Sequence, residues 1–141
     1  MVFGKAEARN SDNICLIKQV LEEKEEIVLV ILYGSFYSGK NNEKSDIDVA
    51  VAGEEILSSN LMLELYLELG MKTRREIDLL DLNKVHGTIL KEILTKGIVL
   101  KKTNISVYAN LIIKMLDYEE DMAPNVRYII DRRIERFLNG E

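Results

Sequence analysis

The sequence predicts an α/β fold in which a small mixed β-sheet is flanked by helices, with further helices at the C-terminal end. Three observations support this class. Helical and strand-like patterns alternate along the chain, which is typical of a sheet with helical connections. Residues 27–32 are uniformly apolar and therefore predict a strand covered on both faces. Glycine and polar clusters separate the patterned segments.

The first half of the chain predicts a helix and two strands. Residues 1–10 are mixed and polar, and we expect a frayed start there. Ser11 or Asp12 would cap a helix, and residues 27–33 would form the first strand. The chain then turns at Gly34, crosses a polar loop or short helix at 36–45, and enters a second strand at 46–52. The helix would bury four apolar residues at helical spacing: Ile14, Ile17, Val20 and Leu21.

The second half predicts more helices and the rest of the sheet. A helix over 58–70 would end at Gly70. Strands are expected at 76–82 and 98–100, with a helix over 88–96 between them. Helices are expected from Ile105 and from Pro124, because proline suits the first helical position. We expect a single domain over 1–141, with its core at about 12–101 and C-terminal helices at about 105–139.

Composition limits the function. The chain has 141 residues, 47% of them hydrophobic, and a net charge of −5, which argues against direct nucleic-acid binding through a basic face. The longest apolar run is far shorter than the roughly 20 residues of a membrane span. The N-terminus lacks a signal-peptide pattern, and the single cysteine, Cys15, indicates a reducing compartment. We therefore expect a cytoplasmic protein.

Three aspartates are the candidate catalytic and metal-binding residues. Asp46 and Asp48 are two residues apart, which on a strand places both carboxylates on one face, where they repel each other. A divalent cation would remove that repulsion, and Mg²⁺ favours one or two carboxylates with phosphate and water. Asp78, in another apolar run, is the expected third carboxylate. Asp81 is the alternative, although its parity directs it to the other face. A solvated turn is the plain alternative for Asp46 and Asp48.

The Gly34-Ser35 turn is a candidate phosphate site. Glycine lets the backbone approach a ligand closely, and Ser35 offers a hydroxyl and an N–H group. Residues 34–41 also differ by one letter from the phosphate-binding loop G-x-x-x-x-G-K-[ST], but Asn41 stands where that loop needs a hydroxyl for Mg²⁺. The polar sequence after Asn41 also lacks the long helix of that loop.

The arrangement of Gly34-Ser35, ten further residues and Asp46-x-Asp48 resembles the signature of the polymerase-β-like nucleotidyltransferases, and the run Ser-Asp-Ile-Asp-Val matches its tail. The short chain and the Gly-Ser-Phe opening resemble the minimal nucleotidyltransferases, the MntA-type antitoxins paired with HEPN toxins. The resemblance covers roughly residues 12–101. It implies the palm-like fold of that superfamily.

The resemblance also implies a mechanism. Asp46 and Asp48 would bind two Mg²⁺ ions, Asp78 would complete the metal site, and Gly34 and Ser35 would hold the phosphates of ATP. AMP would be transferred to a tyrosine of a HEPN-type toxin, with a hetero-oligomer as one expected assembly. The alternatives are a small-molecule nucleotidyltransferase of the aminoglycoside-modifying sort and a binding-only antitoxin that blocks its partner sterically.

The sequence departs from the family at one functional position. Many relatives carry an arginine in the loop after Gly-Ser, where this chain has Ser38, followed by Gly39 and Lys40. Lys40 is the candidate nucleotide-binding residue in its place, although lysine lacks the bidentate fork of arginine. Weaker candidates for phosphate or nucleotide contact are Lys72, Arg74, Arg75, Tyr33 and Tyr37. His86 is the only histidine and has no metal-binding companion.

Overall fold

The computed structural model describes residues 5–34 and 46–122 and, near the C-terminus, residues 132, 134–136 and 138–140. Four strands form one sheet in the order β3-β2-β1-β4. The strands are β1 (Leu29–Tyr33), β2 (Ile47–Ala52), β3 (Ile77–Asp81) and β4 (Ile98–Lys102). The helices are α1 (Lys5–Glu22), α2 (Ser59–Thr73), α3 (Gly87–Lys96) and α4 (Ile105–Met122), and a short 3₁₀ turn spans Leu82–Lys84. The predicted α/β class with a small mixed sheet is confirmed.

The sheet is covered on both faces, and β1 at its centre is buried on both, as its uniform apolar sequence predicts. Helices α1 and α2 pack on one face, where their apolar residues meet Val30, Leu32 and Val49. Helices α3 and α4 pack on the other face, against Ile31 and Ala50. The alternation of side chains along each strand therefore decides which helices a residue contacts.

Strand directions bring three strand ends together. β1 runs antiparallel to β2, and β2 runs parallel to β3. The C-terminal end of β1 therefore lies beside the N-terminal ends of β2 and β3. The parallel pair needs a crossover, which α2 provides. The predicted functional residues on β1, β2 and β3 all fall at this end of the sheet.

Two predicted helix boundaries are wrong. The first helix begins at Lys5 rather than at Ser11 or Asp12, because the run Lys-Ala-Glu-Ala-Arg consists of strong helix formers. The helix expected to end at Gly70 continues to Thr73. The Thr73 hydroxyl donates to the Leu69 carbonyl at 2.7 Å, and Arg74 takes the left-handed conformation that glycine usually supplies.

The remaining strands and helices lie close to the predictions. β3 occupies 77–81 of the expected 76–82, α3 begins at Gly87, and β4 extends to Lys102. The expected loop or short helix at 36–45 and the helix start at Pro124 lie outside the described residues. Among the described residues, no helix combines the length and apolarity that crossing a bilayer requires.

Candidate active site

The predicted carboxylates lie at the end of the sheet where β1 ends and β2 and β3 begin. Asp48 is opposite Tyr33 of β1 and is also in register with Asp78 of β3. Because these three residues have the same parity as Ile31 and Ala50, they share the face of the sheet that α3 and α4 cover. The structure thus brings together side chains that are thirty residues apart in the sequence.

Asp48 and Asp78 form a pair of carboxyl groups in register on neighbouring strands. Burial raises the pKa of Asp48 to about 6, with further contributions from the charge and hydrogen bond of Asp78 and from the charge of Asp46. Asp48 therefore holds its proton more tightly than a free aspartate does. A cation at this position would replace that proton.

Asp46 stands at the edge of the pair. It is exposed, immediately precedes β2, and acts on Asp48 through its charge. Within residues 5–34 and 46–122, no three carboxylate, histidine or cysteine side chains form a complete metal site. The donor set nevertheless fits Mg²⁺, because this ion takes only one or two carboxylates and completes its shell with phosphate oxygens and water.

Gly34 makes room for the Asp48 carboxylate. Its φ angle is +78°, a conformation that side chains rarely adopt, and a Cβ atom placed on it would overlap Oδ2 of Asp48. The sequence suggested that this glycine allows close approach of a ligand. The structure adds that the missing side chain is needed by the neighbouring carboxylate.

Tyr33 belongs to this cluster more closely than the sequence indicated. It packs against the apolar residues beneath α3 and α4, as strand packing predicts. Burial and the charges of Asp78 and Asp48 raise its pKa, so its phenol stays protonated. Tyr33 directly precedes Gly34, and antiparallel pairing of β1 with β2 puts it opposite Asp48. That pairing is the signal that could have placed Tyr33 in the candidate site.

Other predicted residues are placed elsewhere or not described. Ser35, Tyr37, Ser38 and Lys40 lie outside the described residues. Asp81 is buried on the opposite face, as its parity predicted, and accepts hydrogen bonds from the Leu57 and Asn83 backbone N–H groups, each at 2.9 Å. His86 is the N-cap residue of α3, but its side chain makes no capping hydrogen bond. The Nζ atom of Lys72 lies 3.9 Å from Oε1 of Glu68.

Comparison with known proteins agrees with this geometry. The chain belongs to the polymerase beta nucleotidyltransferase family, whose model matches residues 16–106. The protein adenylyltransferase MntA of Shewanella oneidensis is 28% identical over 82 residues, which cover 58% of this chain and 59% of that protein. A Methanocaldococcus jannaschii protein, provisionally named a protein adenylyltransferase, is 31% identical over 88 residues, 58% of this chain and 84% of that protein.

Solved structures share the fold. A chain in the crystal structure of a toxin–antitoxin with AMP-PNP superimposes with a TM-score of 0.67 at 24% identity and covers 87% of this chain and 98% of that chain. A chain from the complex of the tri-AMPylated Shewanella oneidensis HEPN toxin with its MNT antitoxin gives 0.62 at 22% identity, with 89% and 98% covered. These similarities confirm the predicted nucleotidyltransferase fold.

Proposed function

We propose that this chain is a Mg²⁺-dependent adenylyltransferase that transfers AMP from ATP to a tyrosine of a HEPN-type toxin and thereby acts as the antitoxin. The register of Asp48 with Asp78 on neighbouring strands, beside Gly34, is the observation that carries the proposal. Its support is the family membership and the names of the relatives, of which the Shewanella protein is matched over 59% of its length.

In this proposal the three aspartates hold two Mg²⁺ ions. Asp48 and Asp78 are in register on neighbouring strands, and Asp46 adds its charge from the start of β2. Bound Mg²⁺ would neutralise charge on the phosphates and orient them for in-line displacement. Gly34, Ser35 and Lys40 are the residues proposed to contact the phosphates, with the glycine backbone closest.

The acceptor hydroxyl oxygen forms a bond to the α-phosphorus as the bond to the bridging oxygen breaks and pyrophosphate leaves. The hydroxyl proton goes to Asp78, which is exposed and can be reached from outside. Asp48 is more enclosed, so it is assigned to metal binding rather than to proton transfer. Most of the rate enhancement would come from positioning and charge stabilisation.

The openness of the site favours a protein acceptor. Among the described residues, the side chains of Asp46 and Asp78 are both exposed to solvent. A small molecule would keep much of its surface in water at such a site, whereas a protein brings its own wall. The carboxylates of the site repel one another, and a protein that only blocks its partner sterically has no need of them. Their presence therefore argues against a binding-only antitoxin.

The test is an AMP-transfer assay with the full chain, Mg²⁺, labelled ATP and the purified product of the neighbouring gene, which the proposal identifies as a HEPN protein. We expect label on the HEPN protein and a mass gain of one AMP group or more on a tyrosine-containing peptide. The matched control is the Asp46→Asn/Asp48→Asn double variant, which keeps the size of both side chains and should transfer nothing.

Three other outcomes would contradict the proposal. Label on an aminoglycoside but on no protein would identify a small-molecule enzyme. Neutralisation of the toxin by the double variant, without any transfer by the wild-type chain, would identify steric blocking. Undiminished transfer by the double variant would refute the carboxylate assignment.

A further inference from the structure

A tyrosine and two aspartates form a row across the end of the sheet where β1 ends. Tyr33 of β1 lies directly opposite Asp48 of β2, and Asp48 is in register with Asp78 of β3. Residues directly opposite each other on antiparallel strands have Cβ atoms about 4.5–5.5 Å apart, and neighbouring strands lie about 4.8 Å apart. All three residues are on the face of the sheet that α3 and α4 cover. The fold therefore places a phenol beside two carboxyl groups.

The Asp48 carboxylate lies against the strand that holds Tyr33. A Cβ atom placed on Gly34, the residue after Tyr33, would overlap Oδ2 of Asp48. On its other side Asp48 has Asp78, whose charge disfavours a charged Asp48. A hydrogen-bond donor on the β1 side would offset that repulsion, and the Tyr33 hydroxyl is the donor group in the row.

The surroundings of Tyr33 differ between its ring and its hydroxyl group. Tyr33 packs against the buried cluster beneath α3 and α4, whose members are all apolar. The charges of Asp78 and Asp48 both act on its phenol. A buried tyrosine hydroxyl usually has a hydrogen-bond partner, and the carboxylates are the acceptors that share its row. Because burial and these charges raise the pKa of Tyr33, the hydroxyl keeps its proton and stays a donor.

We propose that Tyr33 is a positioning residue whose hydroxyl donates a hydrogen bond to the carboxyl pair of Asp48 and Asp78 and holds the pair in the orientation that binds Mg²⁺. The inference rests on the proposed function for the identity of the cation. Hydrogen bonds to metal-binding carboxylates fix their orientation, and loss of one typically weakens metal binding or activity about 10–100-fold. Phenylalanine at position 33 would fill the same space in the core but would leave the carboxylates without this donor.

Mg²⁺ binding by the full chain tests this role without any transfer reaction. The probe is Mg²⁺, titrated by calorimetry in the presence of the α,β-methylene analogue of ATP, which cannot release AMP. Tyr33→Phe should raise the Kd for Mg²⁺ about tenfold or more.

Tyr108→Phe is the matched control for Tyr33→Phe. Tyr108 packs against the same buried cluster, but it lies on α4, where Nζ of Lys102 is 5.3 Å from the centroid of its ring. It is therefore a tyrosine with similar packing and a different polar neighbour. The control should bind Mg²⁺ within twofold of the wild-type chain.

Tyrosine absorbance gives a second measurement. The chain contains six tyrosines and no tryptophan, so tyrosine dominates its spectrum at wavelengths beyond the adenine band. Mg²⁺ binding changes the charge beside the Tyr33 phenol and should produce a saturable difference spectrum in the wild-type chain and in Tyr108→Phe. Tyr33→Phe should lack this spectrum. A purely structural role would instead lower the melting temperature of Tyr33→Phe without changing the Kd for Mg²⁺.

The transfer assay separates positioning from direct participation in the chemistry. Tyr33→Phe should raise the Mg²⁺ concentration for half-maximal transfer about tenfold and leave kcat at saturating Mg²⁺ within about threefold of the wild-type value. A fall in kcat at every Mg²⁺ concentration would overturn the positioning role, because it would show that the hydroxyl acts on the reacting groups.

The binding and transfer measurements together distinguish this inference from the proposed function. Weaker Mg²⁺ binding by Tyr33→Phe, with no AMP transfer by the wild-type chain, would support the role of Tyr33 and overturn the proposed function. The role of Tyr33 is overturned if Tyr33→Phe binds Mg²⁺ as the wild-type chain does, if Tyr108→Phe loses equal affinity, or if the difference spectrum survives in Tyr33→Phe. No Mg²⁺ binding by the wild-type chain would overturn both.

Discussion

Asp78 and Asp81 lie three residues apart on β3, yet their carboxylates have opposite environments. Asp78 is exposed, faces the α3 and α4 side of the sheet, and lies in register with Asp48. Asp81 is buried on the other side and accepts hydrogen bonds from the backbone of Leu57 and Asn83. One carboxylate is placed against a like charge, and the other is fully satisfied by neutral donors.

This difference is the one expected between a carboxylate with the proposed metal-binding role and a structural carboxylate. Two backbone N–H groups donate hydrogen bonds to Asp81, and these two bonds fix the loop after β2 and the turn after β3. The charge of Asp78 disfavours the charged form of Asp48, so the fold gains nothing from placing the two side by side. Such a pair is expected where a bound cation or a transferred proton neutralises the repulsion between the two carboxylates.

The largest expected effect comes from Asp48→Asn. This substitution keeps the shape of the side chain but removes the charge that would hold Mg²⁺. We expect AMP transfer to fall about a thousandfold or more, while the melting temperature stays the same or rises because repulsion is lost. Labelled-ATP kinetics and a thermal melt measure the two quantities. Transfer within tenfold of the wild-type rate would show that Asp48 is not a metal ligand.

Gly34→Ala should have the next largest effect. The added Cβ overlaps the Asp48 carboxylate, and the φ angle of +78° is strained for alanine. We expect transfer to fall about a hundredfold because the carboxylate is displaced. Stability should fall by about 1–2 kcal/mol from backbone strain.

Gly140→Ala is the control for Gly34→Ala. Gly140 also has a positive φ, +76°, but no atom lies within 4 Å of its added Cβ. It isolates the cost of the backbone conformation from the collision with Asp48. Equal losses of transfer in the two variants would contradict the positioning role of Gly34.

Asp81→Ala tests the structural half of the comparison. It leaves the Leu57 and Asn83 N–H groups without their acceptor in a buried position. We expect a loss of about 2 kcal/mol in the free energy of unfolding, with transfer per folded molecule retained. Asp78→Ala should show the reverse, with stability kept and transfer lost. Denaturant melts with active-site titration measure both, and similar stability losses in the two variants would remove the distinction.

Periodicity and spacing were enough to predict the sheet and the carboxylate pair. The uniform apolar run of β1 predicted a strand covered on both faces, the apolar run around Asp78 predicted a neighbouring strand, and parity directed Asp81 to the other face. The family resemblance supplied what spacing could not, namely the proposal of ATP as the nucleotide and of a HEPN-type toxin as the acceptor.

The missed features depend on contacts between distant residues. Gly70 carries the usual signal for a helix end, but the buried Thr73 extends α2 by another turn and transfers the left-handed position to Arg74. Tyr33 looked like an ordinary strand residue because only the pairing of β1 with β2 reveals the carboxylates beside it. Tertiary packing overrides local propensity in the first case, and strand register decides the second.

The smallest predicted effect is a pH dependence of the free energy of unfolding that arises from Asp48. Because the pKa of Asp48 rises from 3.8 to about 6 on folding, the folded chain binds its proton more tightly than the unfolded chain. Stability from this group is therefore fully present below about pH 4 and is lost as the pH rises through 6. The Asp48→Asn variant lacks this titration. Its free energy of unfolding, relative to that of the wild-type chain, should therefore increase between pH 5 and pH 7.5. The increase should be about 1 kcal/mol or less after solvent screening. Urea melts at the two pH values measure this difference, and Mg²⁺ at pH 7.5 should narrow it by stabilising only the wild-type chain. A constant difference at both pH values would show that the carboxyl pair is not strained in the folded chain.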